Sequence, residues 1–214
     1  MSFSASDISE SKEYRHLLSL PYSDVLPFVI EYIKKRSAIT GLFLVLAMIN
    51  ITWLILFRIE LMKAYTFVSI LPYTVGGLIL FPIVLILPHE LLHIIPYFLF
   101  GARKIRIGGN LKDYYFYVSA PDFPVGRFKF IVIALTPLIS ISAIIIVMIF
   151  SLDKPLWCWS LLLTLFVHFT MSAGDIALIN FYWINRSKKI ITWDDANEKV
   201  AYFYARVKKQ KIDR

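Results

Sequence analysis

The chain has one cysteine in 214 residues, Cys158, and it sits inside an apolar run. A single thiol excludes an intrachain disulfide and a cysteine-built zinc cluster. Charge is also scarce. Only 18% of residues are Asp, Glu, Lys or Arg, against about 25% in an average soluble domain. Acids are the scarcer sign, 15 against 23 Lys and Arg, which leaves a net charge of +8. No RNA- or DNA-binding motif accompanies that excess, so nucleic acid is not an expected partner. Internal repeats and long low-complexity segments are absent from the sequence. The first twenty residues, MSFSASDISESKEYRHLLSL, mix acids and bases around no continuous apolar core. They do not read as a cleaved signal or transit peptide, so insertion falls to later segments.

What the chain has in abundance is apolar sequence: 58% of residues and a mean hydropathy of +0.65. Four segments, about 38–57, 67–100, 128–151 and 156–185, are long enough to span a hydrocarbon core, which takes roughly 20 helical residues. The second and fourth exceed a span, so tilting, breaking or projecting from the bilayer is expected of them. Lys and Arg number five before the first segment, two between the first and second, six in 101–129, one in the third connection and nine after the last. That alternation places both termini and the 101–127 connection on the cytoplasmic side, where basic residues also meet anionic headgroups. The expected fold is an all-α membrane protein with four transmembrane helices, N-in and C-in. Residues 1–37 form a cytoplasmic N-terminal segment, 38–185 the membrane domain, and 186–214 a basic cytoplasmic tail.

Within 101–127, "RKIRIGG" alternates basic and apolar residues, "GGN" can turn, and "DYYFYVS" is rich in strand formers. A small cytoplasmic-side hairpin is expected, about 103–107 pairing with 114–119. It is either an exposed hairpin anchored by tyrosines at the headgroups or a sheet edge for an extended peptide. The tail has helical periodicity and reads as a surface-lying amphipathic helix. Another such helix is expected in 12–37, interrupted by Pro21 and Pro27.

The chemistry lies in "ILPHELLHIIPYF", residues 85–97. His89 and His93 are four apart, so a helix presents both imidazoles on one face to a single ion. Glu90 follows the first ligand and stands free to act as a general base toward water activated by zinc. With four His and six Glu in the chain, this pattern arises by chance roughly 0.002 times. Ionisable groups inside a membrane segment point the same way. Two histidines leave a catalytic zinc one protein ligand short. Asp175 is the one acid in the fourth segment, and the preceding Gly174 gives room for close approach. Counted from the outer ends of their segments, His89 and Asp175 differ by only about 4.5 Å in depth at 1.5 Å per residue. His168, two turns before Asp175, is a fourth ligand, an outer-sphere partner, a transition-state stabiliser or a structural histidine. Asn180 is a substrate-backbone contact or a packing residue. Pro88 can open a helical turn or kink the helix beside the ligands, and the Thr136–Pro137 step marks a bend.

HELLH, the strand-rich basic stretch after it, "ALTP" at 134–137 and "SAGDIALI" at 172–179 together resemble a family of small bacterial membrane proteins named putative zincin peptidases. The same order of elements resembles, more distantly, the site-2 protease group of intramembrane metalloproteases. There the third-ligand motif has an Asp-Gly form, whereas this chain reads SAGD. The resemblance implies Zn²⁺ held by His89, His93 and Asp175, with Glu90 as base. It also implies cleavage of a membrane-associated peptide or protein substrate that pairs with the 103–119 hairpin, in a multi-pass protein of the bacterial plasma membrane. A nonproteolytic metal sensor or scaffold, and a small transporter, are the alternative readings of the same polar residues.

Overall fold

The structure is a computed structural model and describes residues 5–110, 115–195 and 197–207. Helix α1 covers Ala5–Glu10 and strand β1 Tyr14–Pro21; α2, Val25–Lys34, follows a short 3-10 turn. The first long helix, α3, runs Ala38–Ala64 from a capping box in which Ser37 and Thr40 each satisfy the other's backbone N–H. Next come α4, Phe67–Val75, a π-helical turn at Gly76–Leu80, and α5, Phe81–Leu99, which together make one 33-residue apolar stretch. Strands β2, Arg106–Asn110, and β3, Tyr115–Ser119, precede the two-residue β4, Val125–Gly126. Then α6, Arg127–Ser151, α7, Pro155–Met171, and α8, Ala173–Ile184, complete the helices, and β5, Ile190–Asp195, and β6, Val200–Arg206, close the chain.

Among the described residues, three stretches are long and apolar enough to cross a membrane: Ala38–Ala64, Phe67–Leu99 and Arg127–Ser151. The pair α7–α8 makes a fourth if its 42° bend is counted within one span. Many large apolar side chains on these helices are exposed, such as Leu44, Ile83 and Phe150, a surface that a hydrocarbon environment would accept. At the centre lies α7, whose residues 158–165 are all buried. The π-helical turn lets the α4–α5 stretch press onto it. A Cβ at Gly77 would stand 2.3 Å from the Ser160 carbonyl oxygen and 2.9 Å from Leu163 Cβ, so only glycine fits this crossing.

The fold departs from an all-α protein. A four-stranded antiparallel sheet, ordered β1-β6-β5-β4, caps the end of the bundle where α6 begins and α8 ends. The tail is therefore not an amphipathic helix. "IITWDD" and "VAYFYAR" are β-branched and aromatic sequences suited to a pleated, half-buried surface. Asp195 Oδ1 accepts the N–H groups of Asn197 and Glu198, and Lys199 takes φ 55°, which turns β5 back into β6. Likewise, the first part of 12–37 is strand β1 rather than helix. It pairs with β6 from Tyr14 against Arg206 to Pro21 against Val200, so sequence near both ends of the chain shares one sheet. Helix α2 does form, after Pro21 and with Pro27 in its first turn.

The hairpin is present with shifted limits, Arg106–Asn110 against Tyr115–Ser119. "GGN" lies in β2 rather than at the turn, and residues 111–114 fall outside the described residues. The ring of Tyr117 crosses Gly108, where a Cβ would meet its hydroxyl at 2.5 Å. Helix α8 joins the sheet to the bundle through a core of Leu20, Phe28, Ala177, Phe181, Tyr182 and Phe203.

Candidate metal centre

Helix α5 carries His89 and His93 one turn apart, with their ring centroids 5.3 Å from each other. It runs unbroken through Pro88 and Pro96, so the irregular turn lies a dozen residues upstream of the histidines and not beside them. The break that shapes the site belongs instead to the other wall. At Ser172 the chain bends 42° between α7 and α8. The Ser172 N–H and hydroxyl both donate to the His168 carbonyl at 3.1 Å, and Ile176 N–H donates to the Ser172 carbonyl at 3.1 Å. Asp175 falls in the first turn of α8, just past the bend.

The bend brings Asp175 to the histidines. His89 Nε2 lies 3.3 Å from Asp175 Oδ2, and His93 Nε2 lies 3.8 Å from Asp175 Oδ1. One ligand atom from each of the three residues lies within 4.8 Å of the others. The side chains are 12%, 11% and 17% exposed for His89, His93 and Asp175, so a charge placed there would be largely shielded from bulk water. Two ligands about 2.0–2.1 Å from one tetrahedral ion stand about 3.3–3.4 Å apart. The His89–Asp175 separation equals that spacing and the His93–Asp175 separation is wider, too long for a hydrogen bond. The donor set, two imidazoles and a carboxylate, is the borderline N/O type that divalent zinc takes.

Each histidine is oriented from behind. His93 Nδ1 lies 2.9 Å from the Ile133 carbonyl of α6, and a carbonyl can only accept, so Nδ1 carries the proton. The lone pair of His93 is then on Nε2, toward Asp175. His89 Nδ1 lies 3.1 Å from His168 Nε2. With His89 Nε2 kept for an ion, its Nδ1–H donates and His168 Nε2 accepts. Such partners fix tautomer and ring angle in metal-ligating histidines. His168 itself is fully buried, and its Nδ1 has no protein partner among the described residues.

His89, His93 and Asp175 thus come together, with His168 touching His89 from behind. Glu90 is partly buried beside His89, within electrostatic range of His89 and Asp175. Asn180 stands apart. Its amide N–H groups donate to the Tyr32 and Lys35 carbonyls and its oxygen accepts from Ser37 Oγ, which ties α8 to the α2–α3 junction. Gly174 does not make room at the group, since a Cβ there would meet only Val29 at 4.0 Å. The Ile133 carbonyl escaped the sequence reading, although Pro137 four residues later signalled it.

Fold and group together define a mostly helical protein, with three or four apolar stretches long enough to cross a membrane, a four-stranded sheet and a candidate His/His/Asp metal site. The family model described as "Putative zincin peptidase" matches residues 82–191, just over half of the 214-residue chain, and the chain belongs to that family. The match runs from α5 to β5 and contains every residue of the group. No curated protein matches the chain, and no solved structure matches it.

Proposed function

We propose that this chain is a zinc-dependent, membrane-embedded endopeptidase that hydrolyses a membrane-associated peptide or protein near the cytoplasmic face. The observation that carries the reading is the His89–His93–Asp175 group, whose nearer pair is spaced as two ligands of one tetrahedral ion. His89, His93 and Asp175 would hold zinc, which when bound supplies Lewis-acid polarisation of a substrate carbonyl and of water. Glu90 is the general base. One of its carboxylate oxygens takes the proton of the attacking water and returns it to the nitrogen of the leaving amine. His168 and the Ile133 carbonyl keep the two imidazoles aimed at the ion. Close helix packing shields the group, and the bend at Ser172 breaks the apolar wall beside it.

Cytoplasmic placement rests on the basic residues of 101–129 and of the sequence after α8, which flank the sheet-capped end. The β2–β3 hairpin pairs with no further strand among the described residues, and this free edge is where an extended substrate would add. The test compares new N-termini in membrane proteins of cells expressing wild type or Glu90→Gln, with zinc content measured in both purified proteins. Termini present only with wild type, at equal zinc content, support the peptidase. Equal zinc and identical termini would leave a nonproteolytic metal-binding protein.

A further inference from the structure

Helix α6 contains Pro137 in its interior. In a regular α-helix the carbonyl of residue 133 accepts the N–H of residue 137. Proline has no N–H, and its ring collides with the carbonyl four residues back, turning that carbonyl away from the axis. The carbonyl so released is Ile133, and it is the one that His93 Nδ1–H reaches at 2.9 Å. Around this point α6 is tightly held, with Ile133, Ala134, Pro137 and Leu138 all buried. The preceding Thr136 hydroxyl donates to the Val132 carbonyl at 2.7 Å, which keeps the adjacent turn closed while that of Ile133 stays open.

From this geometry we infer that Pro137 is a positioning residue of the metal centre: it withholds the backbone donor that would otherwise compete for the Ile133 carbonyl, and so dedicates that oxygen to His93. A helix-breaking residue is retained in a membrane span because the ligand behind it takes the freed acceptor. Pro137 touches no reacting atom; it acts through Ile133 and His93. The inference rests on the metal reading above, and its test separates the two.

The experiment measures zinc affinity by chelator competition, and thermal unfolding of the metal-free form, on full-length protein in detergent. It compares wild type, Pro137→Ala and a chain with lactic acid in place of Pro137. Pro137→Ala restores an N–H at 137, so zinc affinity should fall about tenfold, within the range seen for lost partners of metal-ligating histidines. The metal-free protein should unfold at the same temperature or higher, because a helix-interior proline is gone. Lactic acid gives the alanine side chain on an ester without N–H, and affinity should return to within about threefold of wild type. A purely structural proline would give Ala and lactic acid variants of equal affinity, and that result overturns the inference. Zinc binding by neither wild type nor any variant would overturn the metal reading instead.

Discussion

Replacing His168 by alanine probes the group from its other side. His168 is 0% exposed, and its Nε2 lies 3.1 Å from His89 Nδ1. Its second nitrogen makes no protein hydrogen bond among the described residues, so the substitution removes one hydrogen bond rather than two. The His89 N–H is then stranded in a largely buried place, at a cost of about 1–3 kcal/mol. Part of that cost appears as lost stability and part as lost metal affinity, because His89 is free to rotate. Loss of such a partner lowers affinity about 10–100-fold, or about 1.4–2.7 kcal/mol. Competition against a chelator of known affinity reads the second quantity, and thermal unfolding of the metal-free protein reads the first. His168→Gln separates the two contributions, since its amide oxygen can take the position of Nε2 and accept from His89. Gln should therefore recover most of the affinity that Ala loses. A folded His168→Ala protein with wild-type zinc affinity would refute the assignment of His168 as the partner of His89.

Two further substitutions address the surroundings. Asn180→Ala removes the donor to the Tyr32 and Lys35 carbonyls and the acceptor for Ser37, so it should cost about 1–3 kcal/mol of stability with metal content unchanged. A stable variant with altered cleavage would make Asn180 a substrate contact. In the sheet, burial pushes the Asp194 carboxyl up to about 7, with the hydrogen bond from the Tyr22 hydroxyl pulling the other way. Its unfolded counterpart titrates near about 4. Between about pH 4 and 7 the folded state therefore holds more protons than the unfolded, and stability falls as pH rises through that window. Asp194→Asn should raise the unfolding temperature relative to wild type at pH 7, with the difference closing toward pH 4; parallel profiles across the window would contradict this.

The parts of the fold that sequence made legible are those set by local rules. A helix that can cross lipid is long and nearly uniformly apolar, so α3, α4–α5 and α6 stand out by length and composition. HELLH is legible because helical spacing alone puts His89 and His93 on one face. Asp175 was legible as the one acid of the fourth segment, and it lies 3.3 Å from His89. The sheet was hidden for the opposite reason. Strand β1 finds its partner in β6 nearly two hundred residues away, and nothing within either strand encodes such a pairing. The periodicity of "VAYFYARVKK" fits a helix face until β1 is there to pair with it. Pro88 and Pro137 show how one residue type misleads and informs in the same chain. The first lies within a continuous helix and breaks nothing near the ligands, whereas the second frees the carbonyl that orients His93. At the Ser172 bend, which brings Asp175 into the group, a hydroxyl reaches the carbonyl four residues back, and no proline announces it.

The central claim, that His89, His93 and Asp175 hold a metal and Glu90 does not, meets its most direct test in metal content. Wild type, His93→Ala, Asp175→Ala and Glu90→Gln would be purified together in detergent with zinc supplied and assayed by plasma mass spectrometry. The expected result is about one zinc per chain in wild type and Glu90→Gln, with sharp loss in the other two. No zinc in any of the four, from protein that is folded by its thermal transition, would contradict the claim and leave His89, His93 and Asp175 as a polar cluster between helices.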